Sequence, residues 1–412
     1  MKNELDRFMQ EAELDALLVR GPAQHNAAMT YFTGLRHISK GYLIKKVGHE
    51  PILYVQNMER EEAAASGLKT FSSDDFDYSG RMKTADGNLN IANAIMIAEM
   101  LKIHAVTGRM AVYGKMNSEI TWGTYQALED LYPSIEIVGE NELETVLGRA
   151  RETKDELEVE RIRAMGKITA AVVADVAGFL SSHEAKDGVI VDRNGQPVTI
   201  GEVKKKIDLW LAMRGAENPK GVIFAVGRDA GIPHSAGQDD QPIPIGVPIV
   251  FDIFPCEAGG GYFYDFTRTW CLGYAPEPVE KIYRDVLDVY NRIFSTLKTD
   301  TLCREYQIET CRMFEAQGHP TILSDEGITE GYVHSLAHGL GLEVHEAPWF
   351  NQNETNESRL VAGSVITVEP GLYYPAKDLG VRIEDTVWMR PDGIPEVLVE
   401  FPKDLVLKIP GV

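Results

Sequence analysis

The chain has 412 residues, with 41 Lys and Arg against 62 Asp and Glu, a formal charge of −21. That length suits two or three domains, each able to bury a core. The negative charge, with no Lys/Arg-rich run to offset it, argues against nucleic acid or an anionic membrane as a partner. The opening MKNELDRFMQEAELD is charged and is not read as a signal peptide. The longest apolar stretch, residues 168–180, is broken by Asp175 and is too short to span a bilayer. Four cysteines (Cys256, Cys271, Cys303 and Cys311) are too sparse for a disulfide framework or a zinc knuckle, so they read as reduced thiols and point to a cytoplasmic protein.

Residues 1–150 alternate between strand-like and helix-like segments. Residues 14–19 read as a buried strand, and 41–46 with 51–55 as a hairpin about Gly48-His49-Glu50. Helices are predicted over 59–66, 91–103 and 118–131, the last with Ser118 as its N-cap. Short strands follow at 110–113 and 135–138. This alternation predicts a small α/β domain. It contains no G-x-x-x-x-G-K and no G-x-G-x-x-G after a strand, so nothing in it cradles a phosphate.

The charge-rich segment 140–163 predicts a helix, a short connection and a second helix, with the domain boundary at 151–154. A polar insert after Ser181 reads as a surface hairpin with Asn194-Gly195 at its tip. Beyond Val222 the chain is strand-rich, apart from helices over 276–297 and 302–317. The expected architecture is therefore α+β: an N-terminal α/β domain over 1–150 and a catalytic domain over 151–412.

Two hairpins carry the chemistry. In PIVFDIFPCEAGGGYFYDFTRTW two apolar runs flank a glycine-rich tip. A turn centred on Ala258-Gly259 places Asp252 opposite Asp265 on a face shared with Val250, Phe254 and Phe263. Like charges so close destabilise a ladder, and on a buried face they need a cation or a retained proton. In SVITVEPGLYYPAKDLGVRIEDTVW a turn centred on Ala376-Lys377 likewise places Glu369 opposite Glu384. The two hairpins match in their flanks, which suggests a duplicated half-domain whose halves each give two acids to one cavity. Four carboxylates in a buried space repel by several kcal/mol even at an effective dielectric of about 20, and two divalent cations would cancel that charge. Such a donor set suits Mn²⁺, with Fe²⁺, Co²⁺ or Zn²⁺ possible once imidazole joins.

The segment VHSLAHGLGLEVHEAP supplies His334, His338 and His345, with Gly339 and Gly341 available to bend the chain, and His234 lies upstream in GIPHSAG. There is no H-E-x-x-H and no G-x-S-x-G, so neither a zincin nor a serine hydrolase is expected.

In this order, Asp252, Asp265, His338, Glu369 and Glu384 resemble the five-ligand signature of the pita-bread metallopeptidases (family M24: methionine aminopeptidase, aminopeptidase P, prolidase and creatinase). YDFTRT, AHGLGLEVHEAP, VEPGLY and RIEDTV resemble the family's motif words, and the first 150 residues are similar in plan to the extra domain of aminopeptidase P, prolidase and creatinase. The resemblance implies two divalent ions held by those five residues, with Asp265 and Glu384 bridging. It gives His234 and His345 contacts to substrate and to the tetrahedral intermediate, and Glu369 a proton-transfer role. His334 and Arg382 would meet substrate, and Asp385 would support the ligands. The implied activity is hydrolysis of an Xaa-Pro bond in dipeptides or short peptides by a homodimer. A rim of Tyr262, Trp349, Phe350, Tyr373 and Tyr374 would receive the proline ring. A non-peptidase hydrolase or lyase on the same fold is the alternative, since Asp252 is followed by Ile-Phe-Pro where a glycine two places on is usual.

Overall fold

The computed structural model describes residues 4–412, and these divide into two compact units: one of residues 4–151 with Gly259–Gly261, and one of Glu152–Ala258 with Tyr262–Val412. The first unit is built on a six-stranded sheet. Its strands are β1 (Ala16–Gly21), β2 (Gly41–Lys46), β3 (Ile52–Val55), β4 (Lys69–Ser72), β5 (Gly108–Gly114) and β6 (Ile135–Val138), in the order β4-β3-β2-β1-β5-β6. β1 is buried throughout and pairs antiparallel with β2 and parallel with β5. A strand covered on both faces reads as a continuous apolar run, which is why its sequence shows no alternation. One face packs Met29, Phe32 and Leu147, and the other packs Ile97, Leu101, Tyr125 and Leu128. Ser118 opens the Ser118–Leu131 helix from inside, and Asn117 stands at the cap position without a side-chain bond, so Ser118 is not the N-cap.

The second unit begins with the helix Glu156–Ser181. Asp155 caps it through a reciprocal box with Glu158, which satisfies two otherwise orphaned amides. By length and hydropathy this helix could cross a membrane, but its buried residues (Val159, Ile162, Val172, Val173, Val176, Leu180) recur at the spacing of a core-facing helix stripe. Ahead of the polar insert, Glu184–Lys186 pairs with Val189–Val191 about Asp187-Gly188, both at positive φ. The insert itself turns at Asn194-Gly195 as expected: Val191 bridges Pro197 antiparallel, the Val198 amide donates to Ile190 O, and Asp192 Oδ1 accepts from the amides of Asn194 and Gln196.

Two sheets follow, antiparallel except where Val406–Leu407 joins the first of them parallel. The first joins β7 (Val222–Val226), β8 (Pro248–Ile253) and β9 (Phe266–Leu272) to the short strand Val406–Leu407. The second runs Glu346–Trp349, His338–Gly339, Val365–Val368, Asp385–Met389 and Pro395–Val397, with Gly371–Tyr374 and Leu379–Arg382 paired beyond its edge. The helices Glu277–Thr296 and Cys303–Ala316 pack Val286, Tyr290, Ile293 and Phe314 against the second sheet's Ile366, Val387 and Met389. Each half of the unit thus brings two helices to one sheet, Ile200–Ala212 being the second helix of the first half. The four cysteines are buried and form no disulfide among the described residues.

Candidate metal and peptidase site

The carboxylate hairpins differ in register from each other. β8 pairs with β9 so that Asp252 faces Thr267 and Ile253 faces Phe266. Asp265 therefore lies two residues beyond the position facing Asp252, and not directly opposite as the Ala258-Gly259 turn required. The turn centres one residue later, on Gly259-Gly260, both at positive φ. A tight hairpin turn of this hand needs positive φ at both central residues, which glycine adopts without steric cost. A slide of two keeps the strand parity, so Asp252 and Asp265 still share a face. The second hairpin keeps the expected register: Val368 faces Asp385 and Gly371 faces Arg382, which brackets Glu369 against Glu384. The ladder opens at that pair, where the Glu369 amide donates to Leu336 O and the Glu384 amide to Thr267 O. The two glutamates are thereby tied to different segments around the cavity, Glu384 to the strand Phe266–Leu272 and Glu369 to the segment that leads into His338.

All nine proposed site residues line one cavity of about 540 Å³ in the second unit: His234, Asp252, Asp265, His334, His338, His345, Glu369, Arg382 and Glu384. Asp265 Oδ1 accepts from the Phe266 amide (2.9 Å), and Glu384 Oε2 accepts from Thr267 Oγ1 (2.7 Å). His338 bonds Gly339 O through Nδ1 (3.0 Å). Its Nε2 lies 3.4 Å from Glu369 and 3.7 Å from Asp265. A ring that donates one N–H to a backbone carbonyl presents the other nitrogen's lone pair, the arrangement that metal-ligating histidines favour. The Gly339–Val344 bend brings His345 back against His338, ring centres 4.3 Å apart and edge to face. His234 and His345 are exposed, while Asp252, Asp265, His338 and Glu384 are buried.

The electrostatics of this cluster are unfavourable without a cation. Burial, reinforced by neighbouring carboxylates, raises the pKa of Asp265 and of Glu384 well above the ordinary range. Burial pushes Glu369 up to about 8, against the nearby Arg382 charge and with help from Asp252. Burial brings His334 and His338 down to about 3, which leaves both neutral and able to donate a lone pair. Asp252 Oδ1 is buried with no hydrogen-bond partner. Ligand atoms of Asp265, His338 and Glu384 lie within 4.8 Å of one another. A buried, unpartnered carboxylate oxygen among raised carboxyls and neutral imidazoles is a donor set that fits divalent cations.

Other expectations change. Arg382 does not present a free cation to substrate. Its guanidinium bonds Asp252 Oδ2 (2.5 Å), Tyr373 Oη (2.7 Å), Pro233 O and Thr267 Oγ1. It braces Asp252, and through Tyr373 Oη it reaches His334 Nε2 (2.8 Å). Of the five expected rim aromatics, Trp349 and Phe350 line the cavity. Tyr262 bonds Glu158, Tyr373 bridges Arg382 to His334, and Tyr374 bonds His319. Asp385 points away from Glu384 into a buried cluster with Arg268, Tyr290 and Lys403, and Arg268 also holds Glu384 O.

Residues not anticipated from sequence complete the frame. Gln307 donates to His334 O and accepts from the Leu336 amide, fixing the segment that leads into His338. Lys154 and Glu346 form a fully buried ion pair (2.6 Å) beside His345. A Cβ on Gly341 would meet Glu346 Oε1 at 2.2 Å and Lys154 Cε at 2.9 Å, so the pair packs directly on this glycine.

Residues 160–391 match metallopeptidase family M24, more than half of the chain, and residues 2–146 match the creatinase/prolidase N-terminal domain. The chain belongs to the M24 metallopeptidases. It is 27% identical over 397 residues to an Xaa-Pro dipeptidase of Pyrococcus furiosus, covering 95% of this chain and 97% of the relative. It is 28% identical over 387 residues to an Xaa-Pro dipeptidase of Pyrococcus horikoshii, covering 94% and 93%. The solved prolidase from Pyrococcus furiosus superposes with a TM-score of 0.72 at 25% identity, covering 96% of this chain and 99% of that one. M24 membership makes this chain a metal-dependent peptidase with a two-domain α+β fold.

Proposed function

We propose that this chain is a prolidase: a dinuclear metallopeptidase that hydrolyses Xaa-Pro dipeptides. The observation that carries the reading is the single cavity in which four carboxylates and four histidines converge, in a chain matched along nearly its whole length by Xaa-Pro dipeptidases. Asp252, Asp265, His338, Glu369 and Glu384 would hold two ions, Mn²⁺ first among the candidates. When bound, the ions supply Lewis acidity at the scissile carbonyl and a nucleophile at neutral pH.

The chain's own groups do the rest. Arg382 and the Phe266 amide hold Asp252 and Asp265 in place. Glu369 takes a proton from the attacking water and returns it to the leaving proline nitrogen. His234 and His345, exposed on the cavity wall, donate hydrogen bonds to the carbonyl oxygen as it gains charge. Trp349 and Phe350 offer an apolar face to the pyrrolidine ring. Four buried cysteines outside any disulfide support a cytoplasmic setting, and the chain acts as a homodimer.

The test is hydrolysis of Ala-Pro against Ala-Ala by enzyme reconstituted with Mn²⁺, Co²⁺ or Zn²⁺. An apolar pocket that fits the ring should favour Ala-Pro by roughly 10- to 200-fold. Equal rates on the two dipeptides, or activity on neither with metal bound, would overturn the Xaa-Pro assignment.

A further inference from the structure

The site cavity holds little free positive charge. Among the described residues, the side-chain cations lining it are Arg382 and Lys220. Arg382 is committed to Asp252, Tyr373, Pro233 and Thr267. The ring nitrogens of His334 meet Ser335 O and Tyr373 Oη, and His338 Nδ1 meets Gly339 O. Lys220 differs from all of these. It sits two residues before β7, is exposed, and forms no ion pair among the described residues. His345 and Lys220 line the same cavity. The cavity that Lys220 borders also carries Val222, Ile223, Phe254, Trp349 and Phe350, a wall suited to an apolar ring.

A dipeptide ending in proline brings one fixed negative charge into such a cavity, the α-carboxylate attached to the ring carbon. We propose that Lys220 recognises that carboxylate and so makes the dipeptide the preferred length of substrate. This inference rests on the Xaa-Pro reading above. Lengthening the peptide by one residue carries the carboxylate about 3.5 Å further along the chain, away from a cation placed for the shorter substrate. A charge-assisted hydrogen bond from a partly solvated lysine is worth roughly tenfold in affinity. Arginine at this position would keep the charge on a longer, forked head.

The experiment compares Ala-Pro, Ala-Pro-amide and Ala-Pro-Ala on metal-loaded enzyme, for the parent chain and for K220M and K220R. The parent should prefer Ala-Pro over its amide by about tenfold in kcat/KM. K220M should lose that preference through a rise in KM for Ala-Pro, and K220R should recover most of it. If the parent cleaves these substrates but K220M lowers Ala-Pro and the amide in equal proportion, or leaves the preference intact, the role of Lys220 is overturned while the Xaa-Pro reading stands. If the parent with metal bound cleaves none of the three, the Xaa-Pro reading fails and this inference fails with it.

Discussion

Removing metal should make the stability of this protein fall as pH rises, the reverse of the usual behaviour of paired surface carboxylates. Asp265, Glu369 and Glu384 all have pKa values raised in the folded chain, chiefly by burial. A carboxyl with a raised folded pKa holds its proton in the native state while the unfolded chain has already lost it. Its contribution is complete below the unfolded pKa, and it disappears as pH climbs through the folded value. His334 and His338 act the other way, but only below the ordinary imidazole range, since burial has moved both to about 3. From about pH 6.5 to about pH 9 the carboxyls therefore decide the slope at this site.

For Glu369, at about 8, crossing that window removes roughly 2 kcal/mol of stability. In a unit of this size that is a drop of roughly 5 °C in Tm, to which Asp265 and Glu384 add. Differential scanning calorimetry of chelator-treated protein across the window measures the slope. Mn²⁺ should abolish it, because the ion replaces the protons. Titration calorimetry in two buffers of different ionisation enthalpy should then show at least about one proton released per chain on metal binding near pH 7. A metal-free Tm that is flat or rising between these pH values, together with metal binding that releases no protons, would refute the reasoning.

Asp265→Asn should abolish hydrolysis and lower bound metal, yet raise the Tm of the metal-free protein at about pH 8, because it deletes a buried carboxyl that must either keep its proton or repel its neighbours; unchanged metal content with normal turnover would remove Asp265 from the site. Lys154→Met should cost about 3–5 kcal/mol by removing the cation that compensates the buried Glu346 carboxylate, and Lys154→Met with Glu346→Leu should recover most of that loss in denaturant unfolding. If the single and double variants are equally unstable, the damage comes from lost packing and not from the loss of that compensation.

The parts of the site that could be read from the sequence share a physical cause. Acids on apolar strand faces are expensive, so Asp252, Asp265, Glu369 and Glu384 stand out against their flanks, and period-two parity predicts which way they point. That parity tolerates error in even steps. The first hairpin slid by two residues, because its turn settled on the glycine pair 259–260, and both aspartates kept their face. The polar insert shows the limit of turn reading: Asn194-Gly195 turns as its sequence marks, but Asp187-Gly188 closes a further hairpin through the strand Glu184–Lys186, which no periodicity marks. The braces were illegible for a different reason. Gln307 meets the Leu336 amide 29 residues away, and Lys154 meets Glu346 across 192. Glutamine and lysine are unremarkable on a helix or in a linker, and only the folded chain shows that these two are buried. Tyr373 illustrates the same point within a motif that was recognised: an aromatic on a strand reads as apolar surface for a proline ring, whereas the fold uses its hydroxyl to join Arg382 to His334. Side chains that hold charge or metal leave a compositional trace wherever they are buried. Side chains that hold those side chains in place do so through single hydrogen bonds, and a single hydrogen bond leaves none.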